Sequence, residues 1–156
     1  MLKPSPYLRQ VQGREQVNSF EHINTMSSIR ETFSKPERLC SLKAIDSLFE
    51  DGNVFYTSLF KVVWKINPEP LLFPAQTAFS VSKKGFRHAV VRNLIKRRMR
   101  EAYRKNKHLL YEHLAEKKIS ASIFIVLKVN SIPDYPTTEK SIKEVIGKLI
   151  TLTGNE

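Results

Sequence analysis

Acidic residues are scarce in this chain, with 15 Asp and Glu against 26 Lys and Arg and a formal charge of +11 at pH 7. Only three of the acids are Asp, and Asp46, Asp51 and Asp134 fall in or beside separate predicted elements. A protein nuclease working with two metals needs several carboxylates brought together, so the shortage speaks against one. Cys40 is the only cysteine, which excludes an intramolecular disulfide and a CxxC metal site. Its thiol is read as a small buried side chain. Histidine offers no more: His108 and His113 stand five apart, a spacing that does not share a helical face, and no HExxH occurs. Each His is read as structural or solvated, with His88 placed to cap a helix or meet a phosphate. No catalytic residue and no protein-held metal are expected. Long apolar runs are missing too. The longest, residues 123–127, falls far short of the ~20 residues of a membrane span. No apolar segment near the N-terminus marks a secretion signal. The chain reads as cytoplasmic, with no membrane partner.

Against those absences stands one dense stretch. Residues 83–107 carry eleven Lys or Arg and a single acid, Glu101. At 100° per residue, Val91, Ile95, Met99 and Ala102 share one side, with Leu94 and Tyr103 at its edges. Asn93, Lys96, Arg97, Arg100, Arg104 and Lys107 gather opposite. One face can rest on a core while the other offers ammonium and guanidinium groups to a polyanion, where each phosphate neutralised releases counterions. A solvated face usually mixes signs, and a membrane-surface helix carries a stronger apolar side; nucleic acid is the better reading. Glu101 is expected to pair within the helix, with Arg97 or Lys105.

The rest of the chain has an ordinary share of apolar residues (41%), enough for one folded domain. Residues 1–32 are polar and aperiodic and read as a disordered extension; Met26 is a candidate for the true translation start. Leu39, Leu42, Ile45, Leu48 and Phe49 recur at helical spacing, with Ser41 as half of a capping box and Gly52 as the stop. Residues 53–66 read as extended. Phe60, Val62 and Trp64 alternate onto one face, and Lys61, Val63 and Lys65 onto the other. Pro68, Pro70 and Pro74 mark a loop, residues 75–82 a strand. Residues 109–118 read as the tail of the basic helix and a polar link, residues 121–129 as a central strand. Thr137 or Thr138 is expected to cap a last helix with Ile142, Val145, Ile146 and Leu149 inward.

SVSKK at residues 80–84, the turn at Gly85 and the helix VVRNLIKRRMREAYR resemble the bacterial ribonuclease P protein subunit. Arg92, Asn93, Ile95, Lys96, Arg97 and Arg100 match the family's helix signature, while Leu94 stands where Arg is usual, a contact that Arg98 could replace. The resemblance implies an α+β fold of the ribosomal protein S5 domain 2-like kind, in the order α-β-β-β-α-β-α, over residues 33–154. It also implies a left-handed βαβ crossover, where general chain rules favour a right-handed one. By the same resemblance the RNA subunit is the catalyst, with Mg²⁺ bound mainly by that RNA and by the substrate. The protein is expected to bind the catalytic ribonuclease P RNA and the 5′ leader of precursor tRNA, with no obligatory protein partner. Lys83, Lys84, Arg92, Asn93, Lys96, Arg97, Arg100 and Arg104 are then the RNA-binding candidates. Phe49, Phe60, Trp64 and Lys128 are the leader-binding candidates, with ordinary core as the competing account of the aromatics. A ribosomal or assembly protein of the same fold is the rival reading, because fold alone does not fix function.

Overall fold

The computed structural model describes residues 32–155; the extension and Met26 lie outside them. After a short 3-10 turn (Lys35–Glu37) come α1 (Leu42–Asp51), β1 (Asn53–Tyr56), β2 (Phe60–Ile66), β3 (Ala75–Val81), α2 (Ala89–Glu116), β4 (Ala121–Leu127) and α3 (Tyr135–Gly154). This is the α-β-β-β-α-β-α order expected of the fold. The four strands form one mixed sheet in the order β1-β2-β4-β3. β4 runs antiparallel to β2 and parallel to β3, so α2 is the crossover between two neighbouring parallel strands. Its central place, with a strand paired on each side, accounts for the near-continuous apolar sequence of β4.

The extended stretch 53–66 is a hairpin. Thr57 N–H donates to the Phe60 carbonyl at 2.8 Å, and Phe60 N–H returns to Thr57 Oγ1 at 3.1 Å. The Ser58-Leu59 loop contains no Gly, Asn or Pro, and neither residue has positive φ. The side-chain oxygen of Thr57 does the work usually signalled by those residues. α1 ends where expected. A Cβ on Gly52 would sit 2.2 Å from the Leu48 carbonyl oxygen, so only glycine fits that close approach.

The two sheet faces are treated differently. Phe60, Val62 and Trp64, with Ile123 and Ile125, point to α2 and α3 and build the main core with Ile95, Met99, Tyr103, Leu110 and Leu114. α3 adds Ile142, Val145, Ile146 and Leu149, as its periodicity requires. Its cap is Asp134, whose carboxylate accepts from Thr137 N–H at 2.8 Å, rather than either threonine. Pro136 sits in the first turn, where no N–H is needed. On the other face only α1 covers the sheet, through Leu48 and, more loosely, Ala44 and Ile45. Leu42, although in helical phase, is exposed, and so is Cys40. Both expectations of burial fail because α1 crosses the sheet at one end only.

Lys107 is a further correction. It lies in phase with the basic stripe yet is buried at 6% exposure, paired with Glu37 at 2%. Its ammonium also meets the Thr32 carbonyl oxygen, and Tyr111 OH donates to Glu37 Oε1 at 2.9 Å. Phe33 packs edge-on against Phe79 and Tyr103, and Leu39 N–H pairs with the Thr77 carbonyl at 3.2 Å. The segment before α1 therefore straps the second half of α2 and shields part of the outer edge of β3. The basic helix runs on to Glu116, because Leu110, Tyr111 and Leu114 continue its core face.

Candidate nucleic-acid interface

The exposed ridge belongs to the first half of α2. Asn93, Arg97 and Arg100 are exposed and Lys96 is half-exposed. Lys96, Arg97 and Arg100 have no ion-pair partner among the described residues. They span roughly 6 Å along the axis at 1.5 Å per residue. Lys83 and Lys84 stand exposed at the end of β3, in the turn leading to the same helix end.

Arg92 has a different station. Its Nη1 donates to the carbonyls of Phe86 and Arg87, each at 2.8 Å, and the side chain is half-buried. It fastens the turn that carries Lys83 and Lys84. His88 occupies the cap position, but its imidazole makes no capping bond; His113 instead bonds Thr153 Oγ1 at 3.0 Å. Arg104 grips Glu101 through two nitrogens, at 2.7 and 3.1 Å. Its hydrogen bond, then its charge and that of Lys105, hold the Glu101 carboxyl below the usual carboxylate range despite slight desolvation. Of the two partners expected for Glu101, Lys105 is present at 3.8 Å and Arg97 forms no ion pair with it among the described residues; the closer partner is Arg104, which was not expected. Arg98, the candidate replacement for the arginine missing at Leu94, is half-buried, and its Nη1 donates to the Pro133 carbonyl at 2.7 Å, tying α2 to the start of α3.

The open part of the sheet lies on the face away from α2, reached from the ridge through the Lys83 and Lys84 turn that ends β3. Strand register puts Ser80, Val126, Lys61 and Tyr56 in one row across all four strands. In the next row, Ala78, Phe124 and Val63 pack under α1, while Val54 at the β1 edge stays exposed. Phe49, at 50% exposure, projects from α1 and meets Phe124 edge-on with centroids 5.0 Å apart. Lys128 follows β4 on the same side and is exposed. Phe60 and Trp64, at 0% and 3% exposure, lie inside the main core on the opposite face. Neither ring can receive a base, so both leave the leader-binding set. Their alternation with Lys61, Val63 and Lys65 contained this answer: the charged partners mark the face that stays open. Lys61, Tyr56 and Phe124 lie on this open face too, and the sequence reading did not single them out as candidates.

The ridge offers only cationic and amide donors, an unsuitable set for a divalent ion. Asp51 is taken by Lys65 at 2.8 Å and Asp134 by its capping bond, and no cluster of metal-ligating side chains occurs among the described residues. No step is assigned to Mg²⁺ on the protein. No helix among the described residues is long and apolar enough to cross a membrane.

Fold and site together define a class: a small basic α+β protein with a cationic helix on one face of its sheet and the other face partly open. Residues 33–150 match the family described as Ribonuclease P. The chain is 38% identical over 122 residues to the ribonuclease P protein component of Porphyromonas gingivalis strain W83, covering 78% of this chain and 87% of that one. It is 36% identical over 118 residues to that of Citrifermentans bemidjiense, covering 75% and 91%. Among solved structures it resembles the RNase P protein from Thermotoga maritima, with a TM-score of 0.58, 20% identity and coverage of 72% and 96%. A Staphylococcus aureus RNase P protein mutant gives 0.57, 18%, and 85% and 97%. The chain belongs to the ribonuclease P protein family.

Proposed function

We propose that this chain is the protein subunit of a ribonuclease P ribonucleoprotein, which removes the 5′ leader of precursor tRNA. The observation that carries the reading, within a member of this family, is a ridge of cations with no ion-pair partner among the described residues, joined through the Lys83 and Lys84 turn to a sheet whose other face is open and bears an exposed aromatic. Asn93, Lys96, Arg97 and Arg100, with Lys83 and Lys84 beside them, anchor the catalytic RNA. Arg92 holds their turn in place, and Arg104 contributes a charge already shared with Glu101. The leader crosses the open face, where Phe49 supplies a stacking surface and Lys128 a charge. Stacking on aromatic rings tolerates any base, which suits a leader of variable sequence. The RNA supplies the catalytic centre, with Mg²⁺ held by RNA and substrate, and the protein works without an obligatory protein partner.

Cleavage of a precursor tRNA at low Mg²⁺ tests this with three samples: a cognate ribonuclease P RNA alone, this protein alone, and both together. Cutting at the mature 5′ end by the mixture only is the expected result. A mixture no better than the RNA alone rejects the assignment.

A further inference from the structure

The row that crosses the open face ends on the outermost strand with Tyr56, a residue outside the cleft that Phe49 and Phe124 define. Its ring is 56% exposed on an edge strand, where packing gives a large aromatic no reason to be. It is nevertheless held. Lys148 of α3 donates to the Tyr56 carbonyl at 2.8 Å and braces the strand from behind. Lys128 places its ammonium 5.6 Å from the ring centroid, leaning on one face. Lys61 is its direct cross-strand partner on the same side of the sheet. Neither Lys61 nor Lys128 forms an ion pair among the described residues. An exposed aromatic ring with uncompensated lysines at its side is the arrangement by which proteins hold a single-stranded nucleotide, base on ring and phosphate on cation.

We propose that Tyr56, with Lys61 and Lys128, forms a second nucleotide subsite that takes a base of the 5′ leader on the β1 edge. The subsite rests on the reading that the leader crosses this sheet face. From the lysine turn after β3 to β1 the chain passes three strand spacings, ~14 Å at ~4.8 Å each. The leader is therefore gripped at two separated rings, Phe49 on α1 and Tyr56 at the far edge. Only leaders long enough to cover the whole row reach the second one. The protein thereby discriminates by leader length as well as by the presence of a leader.

The test measures binding of precursor tRNAs to the reconstituted holoenzyme, with leaders shortened one nucleotide at a time. Wild type, Tyr56→Ala, Tyr56→Phe and Phe49→Ala are compared. Tyr56→Ala should weaken binding of the longest leader by about 5- to 150-fold, the value of one stacked base. Tyr56→Phe should restore it, and the Tyr56→Ala defect should vanish once the leader is too short. If Phe49→Ala weakens binding while Tyr56→Ala does not, the cleft stands and the second subsite is wrong. A Tyr56→Ala defect of equal size on leaderless tRNA also overturns it, as that places the residue against another part of the complex. If neither variant responds to leader length, the leader does not cross this face and both readings fall.

Discussion

Lys107 keeps its charge out of water because Glu37 meets it there. Burial by itself would raise the Glu37 carboxyl. The hydrogen bond from Lys107, those from the Ser34 N–H and hydroxyl, and the lysine charge outweigh it and hold the group below the ordinary carboxylate range. Burial likewise lowers the Lys107 ammonium, with Glu37 opposing. Removing one partner strands the other, a loss on the order of 3–5 kcal/mol. Lys107→Met is therefore expected to be severely destabilising in urea melts, and Lys107→Met with Glu37→Gln to recover most of the loss. Because the Glu37 pKa is depressed on folding, its contribution is complete above the unfolded carboxyl's pKa and fades as pH falls through the folded one. Glu37→Gln should flatten the acid limb of stability against pH; an unchanged limb would show that the pair is not formed in solution. Two phenylalanines give the opposite contrast. Phe60→Ala should cost about 3–5 kcal/mol of stability. Phe49→Ala should cost far less and act on leader affinity instead.

At the scale of elements, α2 is two helices in one. Its first half carries the ridge, and its second half is a core helix strapped by residues 32–39. Replacing Lys96, Arg97 and Arg100 by Ala should lower the salt dependence of catalytic RNA binding by roughly 0.7–0.9 log–log units per lost phosphate contact, with thermal stability unchanged. A filter-binding series across salt concentrations reads this directly, and an unaltered slope would move the RNA elsewhere. Arg92→Ala should behave differently. It frees the Phe86 and Arg87 carbonyls and loosens the turn, so the loss of affinity is expected to exceed the change in slope. At the end of α1, Gly52→Ala forces backbone to move and should destabilise by about 1–3 kcal/mol, measurable by thermal unfolding.

At the scale of the molecule, the proposed function rests on one sheet having two unlike faces. The face toward α2 and α3 is sealed, while the other is only partly covered and otherwise open. The sequence by itself determined the element order, the inward residues of α3, the central place of β4 and the first half of the cationic ridge. Each of these follows from a local period or charge density that any packing of the chain must satisfy. It also held the alternation that separates Phe60 and Trp64 from Lys61. Which elements seal the apolar face depends on where α2 and α3 pack, and no local pattern states that. Tertiary structure alone decided that Lys107 leaves the ridge, because its partner Glu37 is 70 residues away in sequence. It likewise decided that Arg92 and Arg98 spend donors on carbonyls of loops folded back against α2. Stacking Tyr56, Lys61, Val126 and Ser80 into one row required the register of four strands, three of them separated in sequence by loops and a helix. Such neighbours are set by long-range pairing, which is why the ridge was legible in the sequence and the row beside it was not.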